Sequence, residues 1–334
     1  MKKWYESADN GDKALSARVR LARNLNDHPF PSKLDDHGRK QVIDEVRRAF
    51  ADSAPELDYY DMRELSREAA LSLAERHLIS PEFALDERSG GLLISRDESV
   101  SIMLCEEEHI KIQAFRPGGN VKDAYKAAQG PDRIVGSVLN VAFDDRLGYL
   151  TQSPANLGTG MRASVLMHLP ALSKSGQIQR LAGTLAKMGM TMNGVYGGSG
   201  KANGDIYRIA NTVTLGISEN EALGNLDSVA MQLATRERAA AEALTESVSI
   251  QDKIHRAYGI LETARLLSAD EMLDLFSWVR LGTDGGIISA DTSVLNELIL
   301  TLQAATLSLT NGGVTDVDER DALRARTVKE RLFK

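Results

Sequence analysis

Along residues 16–25, "SARVRLARNL", apolar and polar residues alternate: Ala17 and Val19 fall on one side of an extended chain, Arg18 and Arg20 on the other. That period predicts a strand. In "DDHGRKQVIDEVRRAFAD" the spacing changes, and Val42, Ile43, Val46 and Phe50 at i, i+1, i+4 and i+8 predict an amphipathic helix. "GGLLISRDESVSIMLCEEEHIKIQAFRPGG" predicts two strands joined by the polar turn at residues 96–99 and closed by Pro117-Gly118-Gly119. Further on, "ASVLMHLPAL" fits a strand or a helix, "QIQRLAGTLAKMG" a helix, and "GDIYRIANTVTLG" two short strands. From Glu219 helix formers dominate. "LDSVAMQLATRERAAAEAL" is long and amphipathic, and "SADEMLDLFSWVRLG" opens on a capping box, Ser268 with Glu271, and stops at Gly282. The change of texture predicts a boundary near residues 245–260.

A chain of 334 residues favours two domains, and 43% hydrophobic with 26% charged residues is ordinary for a soluble protein. The formal net charge of -7 and pI near 5.5 argue against wholesale nucleic-acid binding, while leaving room for a local basic pocket. The lone cysteine, Cys105, excludes an intrachain disulfide and points to a reducing compartment. No apolar run follows the first lysines, and no stretch approaches the roughly 18 apolar residues of a membrane span, so a cytoplasmic protein is expected.

Four segments carry groups suited to phosphate chemistry. In "SARVR", two guanidiniums on one strand face offer fixed forks of donors to a polyphosphate, or else a solvated strand edge. In "CEEEHIK", read as a strand, Cys105, Glu107, His109 and Lys111 share a face, which places a carboxylate for acid/base work beside a cation; the other reading is an exposed acidic run. "QSPANLGTGMRAS" reads as one loop in which Gly158 and Gly160 let backbone approach a ligand, with Asn156, Thr159 and Arg162 adding donors and charge. It lacks the Gly-Lys-Ser/Thr of a P-loop. "NGVYGGSGKANG", with Lys201, reads as a second glycine-rich loop, either a lid or a connector.

In this order, the segments resemble the catalytic domain of the phosphagen (guanidino) kinases, most closely the bacterial protein-arginine kinases of the McsB type. The carriers are "SARVRLARNL", "ERHLISPEF", "SIMLCEEEHIKIQ", "SPANLGTGMRASVLMHLPAL" and "GDIYRIANTVTLG". The likeness continues through "AYGILETARLLSADEMLDLFSWVRLG" and "ERDALRARTVKERL" and so spans nearly the whole chain. It implies an α+β fold, an antiparallel sheet flanked by helices. Residues 1–250 would form the catalytic domain and residues 251–334 a helical C-terminal domain for dimerisation and phosphoarginine binding. The implied reaction moves the γ-phosphoryl group of ATP to a guanidinium nitrogen, with Mg2+ held through the ATP phosphates and no metal site on the protein.

By the same resemblance, Ser16, Ala17, Arg18, Val19 and Arg20 hold the nucleotide together with His77 and Lys111. Arg162, Ala163, Ser164, Val165 and Leu166 join them, as do Asn193, Gly194, Val195, Tyr196, Gly197 and Gly198. Glu107 would orient the guanidinium and take its proton, with Arg162 and Ser153 completing the catalytic set, and Arg320, Asp321, Arg324 and Ala325 of "RDALRA" would bind phosphoarginine. The implied setting is bacterial stress response: client proteins with exposed arginines, a Clp ATPase and its protease, a small zinc-binding activator and a homodimer, with no nucleic acid or membrane. Leu273, Phe276 and Trp278 are apolar positions open to a self-contact or to core packing.

The chain departs from the family pattern at chemically loaded positions. Ser153 stands where a cysteine is usual, Cys105 for an asparagine, and Lys111 for an arginine, while Asn193, Gly198 and Lys201 align with an arginine and two glutamates. Two readings stay open on the sequence: a protein-arginine kinase with activity reduced by Asn193, Gly198 and Ser153, and a catalytically degenerate adaptor that binds phosphoarginine and partner proteins. A kinase for a free guanidino metabolite is disfavoured, because the small helical N-terminal domain of such enzymes has no room here.

Overall fold

The structure, a computed structural model, describes residues 2–6, 13–51, 53–197 and 202–333. The elements begin with β1 (Ala14–Arg23), α1 (Asp36–Ala51), β2 (Leu57–Asp61), α2 (Arg67–Glu75), α3 (Pro81–Ala84), β3 (Gly91–Ser95), β4 (Val100–Leu104), β5 (Ile110–Pro117) and α4 (Val121–Val138). There follow the hairpin β6 (Phe143–Asp144) and β7 (Gly148–Tyr149), then β8 (Met161–His168), α5 (Pro170–Lys174), α6 (Ile178–Lys187), β9 (Met190–Tyr196) and β10 (Ala202–Asn211). The remainder is helical: α7 (Glu219–Thr245), α8 (Val248–Thr263), α9 (Ala269–Asp284), α10 (Thr292–Thr301), α11 (Ala304–Thr310) and α12 (Val317–Leu332).

The strands form an eight-stranded sheet in the order β2-β3-β4-β5-β1-β8-β10-β9, with every neighbouring pair antiparallel. Alternation along β1 divides the sheet into two faces. Ala17, Val19 and Leu21 are buried among the apolar stripes of α1, α4 and α7, which supply Val42, Val46 and Phe50, then Val121, Ala124 and Ala128, then Leu223, Leu226 and Leu233. Burying each of the larger aliphatic and aromatic side chains is worth about 1.5–3 kcal/mol, so this face holds the sheet to its helices. Arg18 and Arg20 point away from it and remain partly exposed. The helix starts are chemically marked: Ser218 and Glu221 form a reciprocal capping box on α7, and the Ser268 hydroxyl accepts from the Glu271 amide on α9.

Several expected elements come out differently. "GDIYRIANTVTLG" is not two short strands, because β10 runs unbroken through Asn211. "ASVLMHLPAL" resolves as strand β8 followed by α5. Leu273 and Phe276 are 2% exposed, inside a cluster that joins the C-terminal helices to Leu166, Val195 and Ile206 of the sheet, so they form core and offer no surface to a second copy. Trp278 lies 4.2 Å beneath the Lys174 ammonium. The chain bends between α7 and α8 at Glu246 and Ser247, beyond which the helices pack against the sheet, α5 and the first residues.

Two buried histidines make stability depend on pH. Burial lowers His109 to about 4 and His168 well below its ordinary range, while the unfolded chain titrates near 6.5. Below that value the unfolded state binds the protons first, so stability falls with acidification, by about 2–3 kcal/mol for the pair at pH 5.5, and His77, lowered well below its ordinary range by burial and then by Arg208 and Arg18, adds in the same sense. Glu237, raised by burial, acts in the opposite sense closer to its ordinary range. Urea unfolding at pH 7.5 and 5.5 should show a lower midpoint at the acid value; an equal or higher one would remove these histidines from the account.

Candidate active site

The open face of the sheet carries a bank of cations. In register, Arg20 on β1 stands opposite Arg162 on β8 and Gln113 on β5, and Arg18 stands opposite Ser164 and Phe115. One strand further, Arg208 on β10 stands opposite Leu166 on β8 and Asn193 on β9. Among the described residues, none of Arg18, Arg20, Arg162 and Arg208 is ion-paired, and the Arg162 Nε is buried without a partner. Burial, then the charges of Arg20, Arg208 and Arg162, push Arg18 well below its ordinary range. Burial, then Arg162 and Arg208, push Arg20 down to about 10, against the smaller opposing pull of Glu106 and Glu107. Arginine stays cationic at neutral pH, so like charges are crowded on a partly open face that suits a polyanion.

At the rim, the expected shared face of Cys105, Glu107, His109 and Lys111 does not form. Residues 105–109 bend, beginning with Cys105 at φ 58°, and β5 starts only at Ile110. Cys105 turns into the helix-side core, where burial pushes its thiol up to about 12. His109 turns toward the segment after β1, its Nδ1 accepting from the Leu25 amide at 3.0 Å and its Nε2 lying 2.9 Å from the Pro29 carbonyl. Lys111 alone of the four joins the open face, with its ammonium 2.5 Å from Glu106 and 3.3 Å from Glu107. Glu107 is the more accessible carboxylate, 43% exposed, and also lies 3.4 Å from the Asn156 amide.

Glu108, which no sequence motif singles out, is fully buried and fastens the next loop. Its oxygens accept from Asn24 Nδ2 at 2.7 Å, the Gln152 amide at 2.8 Å, the Ser153 amide at 3.2 Å and Asn156 Nδ2 at 2.9 Å. One carboxylate thereby sets Ser153 and Asn156 beside Glu107. The glycines of this stretch serve the chain rather than a ligand. A Cβ on Gly158, at φ +107°, would sit 2.2 Å from the Thr214 carbonyl oxygen, and one on Gly160, at φ +63°, 2.6 Å from that of Ala22. Residues 152–164 are accordingly not one loop: β8 begins at Met161, turning Arg162, Ser164 and Leu166 to the site and Ala163 and Val165 to the core, as β1 does with Ala17 and Val19.

The second glycine-rich segment is largely strand. Asn193, Gly194, Val195 and Tyr196 belong to β9 and Gly197 follows in a bend, while Gly198 and Lys201 lie outside the described residues. Val195 packs with the C-terminal helices, and Gly194 and Tyr196 border the cavity above the arginines. The Tyr196 hydroxyl and His77 Nε2 are hydrogen-bonded at 2.9 Å, and both residues hold left-handed backbone, φ 65° and 64°. Such strain concentrates at ligand sites. Burial, then the charges of Arg208 and Arg18, hold His77 neutral. Two adjoining cavities share Arg18, His77, Tyr196 and Arg208: one reaches Lys111 and Ser80, the other runs past Ser16 to Phe115, Leu166 and, from α10, Asn296 and Ile299.

The "RDALRA" residues sit apart on α12. Arg324 is 1% exposed and donates to the Leu302 carbonyl at 2.9 Å, the Leu267 carbonyl at 2.7 Å and the Asp321 carboxylate. Ala325 is buried beside it, and the Arg320 Nε is buried without a partner among the described residues.

Fold and site together define a phosphotransferase of the guanidino-kinase type. The chain belongs to the ATP:guanido phosphotransferase family, whose C-terminal catalytic domain profile matches residues 40–240. Residues 247–334 match the profile of the protein-arginine kinase McsB C-terminal domain. The chain is 40% identical over 329 residues to a protein-arginine kinase of Caldanaerobacter subterraneus subsp. tengcongensis, covering 97% of this chain and 98% of that one. It is 41% identical over 334 residues to one of Geobacillus stearothermophilus, covering 98% and 92%. Among solved structures, the duplicated taurocyamine kinase of Schistosoma mansoni with bound transition state analog components superposes with a TM-score of 0.60 at 25% identity, over 70% of this chain and 35% of that one. Lombricine kinase shares the fold, with a TM-score of 0.59 at 24% identity over 68% and 66% of the two chains.

Proposed function

We propose that this chain transfers the γ-phosphoryl group of ATP to the guanidinium of arginine side chains in proteins. The observation that carries the proposal is the trio Arg18, Arg20 and Arg162, without an ion pair among the described residues and on one sheet face, with Glu107 at its rim. Those three guanidiniums would take the nucleotide phosphates and the charge that builds on the transferring group. Glu107 would hold the incoming guanidinium and accept its proton as the N–P bond forms and the bond from phosphorus to the ADP oxygen breaks. Lys111 and Asn156 orient Glu107, and Glu108 secures the loop bearing Ser153 on the acceptor side.

Among the described residues no group of three or more His, Cys, Asp and Glu side chains could hold a metal. The arginine bank suits a polyphosphate instead, and Mg2+ would come with it, neutralising part of its charge. Among the described residues no helix is long and apolar enough to cross a membrane. The wider reading follows the resemblance: a cytoplasmic enzyme marking clients for a Clp protease, helped by a zinc-binding activator, able to dimerise, with residues 251–334 as a C-terminal domain and Arg320, Asp321, Arg324 and Ala325 reading phosphoarginine.

ADP release tests the reaction and the acceptor together. Turnover is expected with an arginine-rich protein and not with free arginine. Equal turnover on free arginine would make the chain a metabolite kinase, and bound nucleotide without turnover on either acceptor would leave the phosphoarginine-binding adaptor.

A further inference from the structure

We propose that Arg208 is a phosphate-binding residue of the nucleotide site, supplying from β10 the charge that its cross-strand neighbour Asn193 lacks. The proposal rests on the nucleotide reading above and adds a residue to it. The register puts Arg208 between Leu166 and Asn193 on the open face, and both cavities over the arginine bank reach it. Its charge is felt at Arg18, Arg20 and His77, so it shares their space.

Comparison with the other arginines of the interior separates a ligand-binding role from a packing role. Arg39 is saturated by the carbonyls of Ser89, Pro31 and Cys105, and Arg23 by the Asp132 carboxylate. Arg208 has no such partner among the described residues, although burial already disfavours its charge. Its donors open to the two cavities and not to protein acceptors among the described residues, beside three like charges. A di- or triphosphate across the bank meets them, and the planar fork fits two phosphate oxygens at once.

The test is ADP binding by calorimetry, paired with thermal unfolding without nucleotide. Arg208→Gln should weaken ADP binding about 10- to 100-fold and leave the nucleotide-free Tm equal or higher, because one of four mutually repelling charges is gone. Adding Asn193→Arg to it, which returns a guanidinium to the facing position, should recover most of the affinity. If Arg208→Gln does not fold, Asn193→Asp, which sets a carboxylate opposite Arg208, should weaken ADP at least tenfold. Affinity within twofold of wild type in Arg208→Gln or in Asn193→Asp, or a fall in Tm with affinity kept, would overturn the assignment alone. A wild-type chain that binds no ADP would overturn the nucleotide reading, and this proposal with it.

Discussion

Glu107→Gln is expected to lower phosphoryl transfer about 10²- to 10⁴-fold while leaving nucleotide affinity nearly unchanged. The substitution keeps size and hydrogen bonding and removes the one property the reaction needs, a carboxylate that can take a proton from the attacking guanidinium. Glu106 cannot readily substitute, since it is held by the Ser80 hydroxyl at 2.7 Å and by the Lys111 ammonium. Glu108 is sealed beneath the acceptor loop with four donors on it. Single-turnover rates at saturating ATP and protein acceptor measure the effect directly. A rate within tenfold of wild type would transfer the base to another group and leave Glu107 as an ordinary rim carboxylate.

Arg162→Gln should cost roughly 10²- to 10³-fold in kcat, the usual loss when one donor aimed at transition-state charge is removed. Arg162 is directly across from Arg20, and its Nε is buried with no partner among the described residues, which leaves that donor for a ligand. Arg162→Lys should recover only a part, because a point charge lacks the bidentate fork. The informative readout is the split of kinetic constants: losing a contact to the transferring phosphoryl group lowers kcat more than it raises KM, whereas losing a contact made equally in the ground and transition states raises KM alone. An effect confined to KM would place Arg162 at the outer phosphates and away from the bond being broken.

The division of the sheet into a helix face and an open face was legible in the alternation of "SARVRLARNL", because a strand buried on one side writes its faces at every second residue. The helical face of α1 was legible for the corresponding reason, its spacing of Val42, Val46 and Phe50. Strand β8 was less so: Ala163 to His168 are buried on both sides, so the run shows no alternation and fits a helix equally well. The glutamate segment failed for a sharper reason. Strand parity is lost at one left-handed residue, and a cysteine gives no warning that it will take φ 58°. Glu107 stands out only through the resemblance, and nothing local marks Glu108, because its partners Asn24 and Gln152 lie 84 and 44 residues away.

Arg208 shows the same limit. The alternation in "IYRIA" marks its face, yet only the register of β8, β9 and β10 reveals that this face adjoins Arg18 and Arg162. Gly158 and Gly160 also meet the backbone of distant segments, so their tight fit is a tertiary fact that composition could assign as easily to a ligand. Leu273 and Phe276, apolar on an amphipathic helix, could have faced a partner or the sheet, and the packing of the C-terminal helices decides for the sheet.

The proposed reaction forms one bond, from phosphorus to a guanidinium nitrogen of a protein side chain. The most direct measurement is mass spectrometry of an arginine-rich protein after incubation with the chain and Mg-ATP, under neutral or mildly basic conditions that spare the acid-labile P–N bond. Phosphoarginine is expected with the wild-type chain, and its loss in Glu107→Gln. Wild-type chain that binds ATP yet leaves no phosphoarginine, or a Glu107→Gln variant that marks arginine as fast as wild type, would contradict that expectation.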